Sequence, residues 1–173
     1  LFMAPLIGET VEIEVRDGLV SQPLVHTTVE VMRKAGIVVD AADDLLYFRI
    51  EGGQAYRAGE FSVNGDYPSS AALLAAVAVA GGDFCLNRLF ADSQGERAVL
   101  PLLSEMGCNI DHDGQSVHLR GDGGLCAVEF DGDKATDAVL AMVAAACIAE
   151  GESRFYGIGN LRLKECDRIG VPV

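Results

Sequence analysis

Positive charge is scarce in this 173-residue chain: 13 Lys and Arg stand against 26 Asp and Glu, a formal net charge of −13, and only Lys34, Lys134 and Lys164 are lysines. Nucleic-acid surfaces need a basic footprint, so no nucleic-acid partner is expected, and an anionic ligand must be caught by a few well-placed cations. Long apolar runs are also missing. The longest, Ala71 to Ala80 and Ala138 to Ala149, fall short of the roughly 20 residues that span a bilayer and are Ala-rich, so both read as buried helices of a soluble protein with no membrane partner. Paired cysteine spacing is absent. Cys85, Cys108, Cys126, Cys147 and Cys166 are odd in number and scattered without CxxC, which argues against a zinc site or disulfide framework and fits a reducing compartment. Cys85, Cys126 and Cys147 lie in apolar runs, so buried packing is expected for most of the five. His26, His112 and His118 show no metal-ligand spacing and read as surface or strand residues, so no metal is expected. Leu1 to Ile7 is apolar but lacks a basic leader, a long apolar core and a cleavage site, so it does not read as a signal peptide, and a cytoplasmic location is expected.

What is present is half apolar, with mean hydropathy +0.25, enough to bury a core; the length permits one domain or two small ones. The sequence repeats itself. Val31 to Asp40 lines up with Leu102 to Asp111, Gly36 and Gly107 being 71 residues apart, and the same offset places Arg49 on Arg120 and Gly52-Gly53 on Gly123-Gly124. In each copy a helix (Thr27 to Ala35, Glu96 to Met106) closes on a Gly suited to the left-handed position. Paired strands follow: Ile37-Val38-Val39 with Leu46 to Ile50 across Asp40 to Asp44, and Cys108 to Asp111 with Val117 to Arg120 across Asp113-Gly114. Upstream strands are expected at Val11 to Val15 and Phe84 to Leu86. A partial third copy supplies a strand at Cys126 to Phe130, a helix at Asp137 to Glu150 and a strand at Ser153 to Tyr156. The helix at Ser70 to Ala80 takes the corresponding place before Phe84 to Leu86. The module is β-α-β-α-β-β in an α/β layer architecture.

Gln54 to Glu60 lacks periodicity, and Asn64-Gly65-Asp66 leads to Ser69-Ser70, which can cap the next helix. A boundary is therefore expected near Val63 to Asp66, dividing the chain into residues 1–63 and 64–173. Leu1 to Ile7 reads as a helix tail already in progress and the chain stops abruptly at Val171-Pro172-Val173, so a fragment is expected.

The densest polar cluster is Asn160 to Arg168, after a strand and a turn punctuated by Gly157 and Gly159. Lys164 and Arg168 are four apart and would share a face if the segment turns helically, with Glu165 beside Lys164. An Arg fork suits a carboxylate or phosphate, Lys gives a mobile charge, and Glu can exchange a proton, the set that proton-coupled chemistry on an anion requires. On charge pattern alone, a solvated turn with local ion pairs is the better account of the run, and Asp137 alone reads as a helix cap or first-turn acid.

The combination carries more. Gly65-Asp66-Tyr67-Pro68-Ser69-Ser70-Ala71-Ala72, Thr136-Asp137-Ala138, and Asn160 followed by Lys164-Glu165-Cys166-Asp167-Arg168 together resemble the family of 5-enolpyruvylshikimate-3-phosphate (EPSP) synthases, the 3-phosphoshikimate 1-carboxyvinyltransferases. Lys-Glu-x-Asp-Arg is the most specific element, and the likeness runs along the whole chain, including Leu19 to Pro23 and Ser93-Gln94-Gly95.

The resemblance implies the enolpyruvyl transferase architecture, an inside-out α/β barrel of repeated β-α-β-α-β-β units in two domains that close over the substrates. Residues 1–63 would be the C-terminal part of the first domain and 64–173 the first part of the second, both incomplete. It implies transfer of the enolpyruvyl group of phosphoenolpyruvate to the 5-hydroxyl of shikimate 3-phosphate with release of phosphate, in aromatic amino-acid biosynthesis, with no cofactor. Residue by residue, Asp137 corresponds to the proton acceptor on the shikimate hydroxyl and Glu165 to the second acid/base group. Asn160 and Lys164 correspond to shikimate 3-phosphate ligands, Ser21 to a serine on the 3-phosphate, and Arg168 to a phosphoenolpyruvate ligand. The sequence departs from the family at the extra residue in Tyr67-Pro68, at Leu24, where an aromatic ring is common, and at Cys166, read as packing. The family's N-terminal Lys-Ser and Arg ligands, its Gly and Arg phosphoenolpyruvate ligands, its Ser-Ser-Gln element and its C-terminal Arg and Lys have no counterpart. A central fragment, inactive without the remaining segments of the same enzyme, is therefore expected. Two readings compete: an enolpyruvyl transferase acting on UDP-N-acetylglucosamine, which lacks Lys-Glu-x-Asp-Arg, and a non-catalytic α/β binding module.

Overall fold

The computed structural model describes residues 1–171; Pro172 and Val173, where the sequence stops abruptly, lie outside the described residues. The chain forms two compact units, Leu1–Ser62 and Val63–Val173.

The first unit contains β1 (Val11–Glu14), α1 (Gln22–Lys34), β2 (Asp40–Ala41) and β3 (Tyr47–Ile50). They form an antiparallel sheet in the order β1-β3-β2. Val29 and Met32 of α1 pack with Ile37, Val39, Leu45, Phe48 and Ile50 to make its core. Leu1 to Ile7, expected to be a helix tail, holds a single 3-10 turn at Ala4–Leu6 with Pro5 inside it. Ile37-Val38-Val39, expected as strand, is not: the ladder begins only at Asp40. Side chains take its backbone groups instead. Gln54 accepts from the Val38 N–H at 2.8 Å and donates to the Val38 carbonyl at 3.1 Å, and Arg33 donates to the Val39 carbonyl at 2.8 Å. Once those groups are satisfied, β-branched propensity has no pairing left to direct.

The second unit runs α2 (Tyr67–Ala80), β4 (Gly82–Asn87), α3 (Val99–Glu105), β5 (Asn109–His112), β6 (Ser116–Gly121), β7 (Glu129–Asp131), α4 (Val139–Ala146) and β8 (Arg154–Tyr156). The 3-10 turns Gly95–Ala98 and Thr136–Ala138 lead into α3 and α4, and a third, Gly159–Leu163, follows β8. β4, β6 and β5 form an antiparallel sheet in that order, and β7 pairs with β8 in parallel. Tyr67, Leu74, Leu103, Met106, Val117, Leu119, Met142 and Leu161 are among its fully buried side chains.

The 71-residue offset maps one sheet onto the other. Glu12 faces Arg49 on β1 and β3, and Asp83 faces Arg120 on β4 and β6, with an ion pair at each place, 4.0 Å in the first and 2.8 Å in the second. The third strand slips by two residues: Arg49 faces Asp40, whereas Arg120 faces Asn109. A slip of two keeps each side chain on its original face, so Phe48 and Ile50, like Val117 and Leu119, still point inward.

Several further expectations are corrected. Asp66, not Ser69 or Ser70, caps α2, its carboxylate accepting from the Ser69 N–H at 2.9 Å. Of Cys126 to Phe130 only Glu129 onward is strand, Cys126 forming an isolated bridge to Glu150. The helix from Asp137 ends at Ala146 rather than Glu150, because the Glu150 N–H bonds to the Leu125 carbonyl and its own carbonyl takes the Ala127 N–H. Only Cys108 is buried; Cys85, Cys126, Cys147 and Cys166 are exposed. In Cys85 and Cys126 this follows from the alternation of extended chain, since their neighbours Leu86 and Leu125 turn inward. Cys166 stands in the open turn after Leu163. The two Ala-rich helices are buried on one face only, and between them an apolar groove of about 290 Å³ is lined by Ala72, Ala75, Ala76, Val79, Ala141 and Ala144. Among the described residues no helix is long and apolar enough to cross a membrane.

Candidate functional site

Two segments leave the carboxyl ends of the adjacent parallel strands β7 and β8, the edge where α/β sheets present ligand-binding loops. The first runs from Gly132 to the turn Thr136–Ala138, which carries Asp137. The second runs from Gly157 through the turn Gly159–Leu163 to Arg168. Two glycines let these segments approach. A Cβ on Gly132 would lie 2.4 Å from Ile158 Cγ2, and Gly157 has φ +66°, with Asp131 Oδ1 2.4 Å from where its Cβ would be.

The convergence brings charge together. Asp137 Oδ1 accepts from Lys164 Nζ at 3.2 Å and from Arg168 Nη1 at 3.0 Å, and Arg168 Nη2 donates to Glu165 Oε2 at 2.7 Å. The side chains of Arg168, Lys164 and Asp137 are 20%, 25% and 32% exposed, whereas Glu165 is 75% exposed. Arg168 therefore joins a half-buried carboxylate to an open one. Lys164 and Arg168 do not achieve this by sharing a helix face, as the four-residue spacing suggested, because the 3-10 turn ends at Leu163 and Lys164 is extended. The backbone of Arg168 is tied back instead, its N–H donating to the Leu161 carbonyl at 3.1 Å.

Glu165 is held below the usual carboxylate range by a backbone N–H, then by the hydrogen bond and charge of Arg168, with desolvation opposing and the charge of Lys164 adding last. Burial opposes the charge on Arg168, but Glu165 and Asp137 outweigh it, and its pKa is raised.

Asn160 stands on the same loop, its Nδ2 donating to Thr136 Oγ1 at 3.4 Å. Its buried Oδ1 has no hydrogen-bond partner among the described residues, leaving an acceptor for a hydroxyl. Ser21 belongs to the first unit, at the start of α1, in a left-handed backbone conformation with φ +56°. Leu24, in the first turn of the same helix, is exposed.

Sequence reasoning missed the part played by Asp167. Its Oδ1 accepts from the Ile169 and Gly170 N–H groups at 3.0 and 2.9 Å while Oδ2 takes Arg162 at 2.9 Å. The carboxylate folds the turn that holds Arg168, and those two N–H groups depress its pKa. Asp-x-x-Gly at 167–170, a turn signal, was the available cue. No group of three His, Cys, Asp or Glu able to hold a metal ion occurs among the described residues. The site can bind an anion through Lys164 and Arg168 and exchange protons through two carboxylates.

A family model described as EPSP synthase (3-phosphoshikimate 1-carboxyvinyltransferase) matches residues 1–173. The 3-phosphoshikimate 1-carboxyvinyltransferase of Deinococcus radiodurans is 41% identical over 170 residues, covering 98% of this chain and 39% of that relative. Among solved structures, an EPSP synthase from Acinetobacter baumannii has a TM-score of 0.72 at 22% identity, covering 99% of this chain and 40% of that one. The enolpyruvyl transferase NikO from Streptomyces tendae has a TM-score of 0.65 at 18% identity, covering 89% and 38%. At these identities the structural likeness shows the enolpyruvyl transferase fold. The chain spans about two fifths of the length of the curated relatives it matches.

Proposed function

The chain belongs to the EPSP synthase family, and from that premise we propose that it supplies part of an enzyme transferring the enolpyruvyl group of phosphoenolpyruvate to the 5-hydroxyl of shikimate 3-phosphate. The supporting observation is the meeting of Asp137, Lys164, Glu165 and Arg168 in one partly buried cluster. In the reaction, the hydroxyl oxygen bonds to the central carbon of phosphoenolpyruvate as a proton reaches the methylene carbon and the hydroxyl proton leaves. Phosphate then departs, the methyl group gives back a proton and the double bond re-forms. Each half needs a proton acceptor and a donor beside anionic groups.

Asp137 is assigned to take the hydroxyl proton and Glu165 to serve as the second acid/base group. Asn160 and Lys164 hold shikimate 3-phosphate, Ser21 contributes to its 3-phosphate, and Arg168 holds phosphoenolpyruvate. Without substrate the two cations are engaged by Asp137 and Glu165, so anion binding is an exchange of partners that frees the carboxylates for proton transfer. The chemistry calls for neither metal nor organic cofactor. Residues 1–63 are assigned to the end of one domain and 64–173 to the start of the other; the remaining ligands come from other segments of the same enzyme, acting in the cytoplasm.

Phosphate release dependent on both substrates, measured on the complete protein that carries this chain, tests the reading. Asp137→Asn is expected to lower kcat by about 10²- to 10⁴-fold, the usual range for loss of a general base. Phosphate release that ignores shikimate 3-phosphate, or survives the substitution, would overturn it.

A further inference from the structure

Glu96 is the only buried charged side chain among the described residues, at 4% exposure, and the proposed chemistry does not use it. It sits in the 3-10 turn Gly95–Ala98 that leads into α3. It makes no ion pair with Lys or Arg among the described residues; its Oε1 instead accepts from the Asp137 backbone N–H at 3.5 Å. That N–H lies at the start of a helical run, where no carbonyl one turn earlier can take it. An isolated buried carboxylate is costly. This one is compensated by the Asp137 N–H, and it stands in the first turn of its own helical run, where a carboxylate is favoured. The same turn is held from another side, since buried Thr136 receives Asn160 Nδ2.

We infer that Glu96 is a positioning residue, its buried carboxylate fixing the Asp137 amide and thereby the place of the Asp137 carboxylate against Lys164 and Arg168. The inference rests on the reading of Asp137 as proton acceptor. It is specific about the atom that matters: an acceptor oxygen at the Glu96 Oε1 position, which glutamine can also supply. With Glu96 removed, Asn160 still holds the turn through Thr136, so the shift falls on the Asp137 carboxylate more than on the substrate-binding groups of the 159–168 segment, and kcat suffers more than KM.

Two readouts separate this inference from the functional reading. Amide hydrogen exchange on the 173-residue chain needs no substrate: Glu96→Ala is expected to lower protection of the Asp137 N–H about tenfold, the scale of one lost hydrogen bond, and Glu96→Gln to retain most of it. In the complete protein Glu96→Ala is expected to lower kcat about tenfold with KM for both substrates within about twofold, and Glu96→Gln to restore most of kcat. Unchanged Asp137 protection in Glu96→Ala would overturn the inference, as would a Gln variant as impaired as Ala, or a rise in KM at constant kcat. Should the wild-type protein release no phosphate, the functional reading fails while the exchange measurement still decides whether Glu96 holds Asp137.

Discussion

Arg168 touches both carboxylates of the cluster, and its contact with Glu165 comes second to a backbone N–H in lowering the Glu165 pKa. Glu165 has its pKa depressed, so its favourable interactions are fully present above the ordinary glutamate value of about 4.3 and fade as pH falls through the lower folded-state value. At neutral pH it is therefore ionised in the free chain, and it has to take up a proton from solvent, once substrate has drawn Arg168 away, before it can protonate the methylene carbon. Arg168→Gln removes the contributions of that guanidinium but leaves the backbone N–H. The Glu165 titration, followed by carboxyl carbon NMR, is then expected to move up toward the ordinary value without reaching it; an unmoved titration would show that the ion pair does not form in solution. Cysteine exposure is a second residue-scale test. Cys108 is buried and its thiol is pushed up by burial and then by Asp122, so a thiol reagent under native conditions is expected to label four cysteines quickly and Cys108 only slowly. The sequence misled at Cys85 and Cys126 because an apolar run in extended chain is apolar on average, while every second residue turns outward, and at Cys147 because α4 ends one residue before it.

At the scale of the element, helix positions were legible and their ends were not. The apolar spacing of α1 and α3 and the glycines after them locate both helices, and the repeat locates the strands that follow. What failed was set by single side chains reaching across the fold. Gln54 holds Val38 on both its backbone groups, and no local pattern announces a partner 16 residues away. Asp66 caps α2 ahead of two serines with the same capacity. Asp66→Ala is expected to lower stability by about 1 kcal/mol, and Ser69→Ala far less, measured by denaturant unfolding; equal losses would contradict the assignment of the cap. Met142, fully buried on α4, is expected to cost about 2–5 kcal/mol when replaced by Ala, as a cavity opens in the second core.

At the scale of the whole molecule, each of the two units has its own core, and residues 58–63 between them are exposed and without regular structure. Limited proteolysis is expected to cut first in that stretch and to leave a protected fragment beginning near Val63; first cleavage within α2 or β6 would contradict the division. The candidate site was legible because its residue types are compressed into three short motifs, and the family resemblance points to Asp137, Asn160, Lys164, Glu165 and Arg168 without any geometry. What could not be read is how they meet. The contact of Lys164 and Arg168 with one Asp137 oxygen depends on β7 and β8 lying parallel and on two glycines with no room for a Cβ, and Glu96 reaches Asp137 from 41 positions earlier. The most direct test of the cluster as a substrate half-site is calorimetric titration of the chain with shikimate 3-phosphate, beside an Asp137→Ala, Lys164→Ala double variant shown to be folded by circular dichroism. Saturable binding that the double variant loses is the expected result; binding of equal strength by both proteins, or none by the folded wild-type chain, would contradict it.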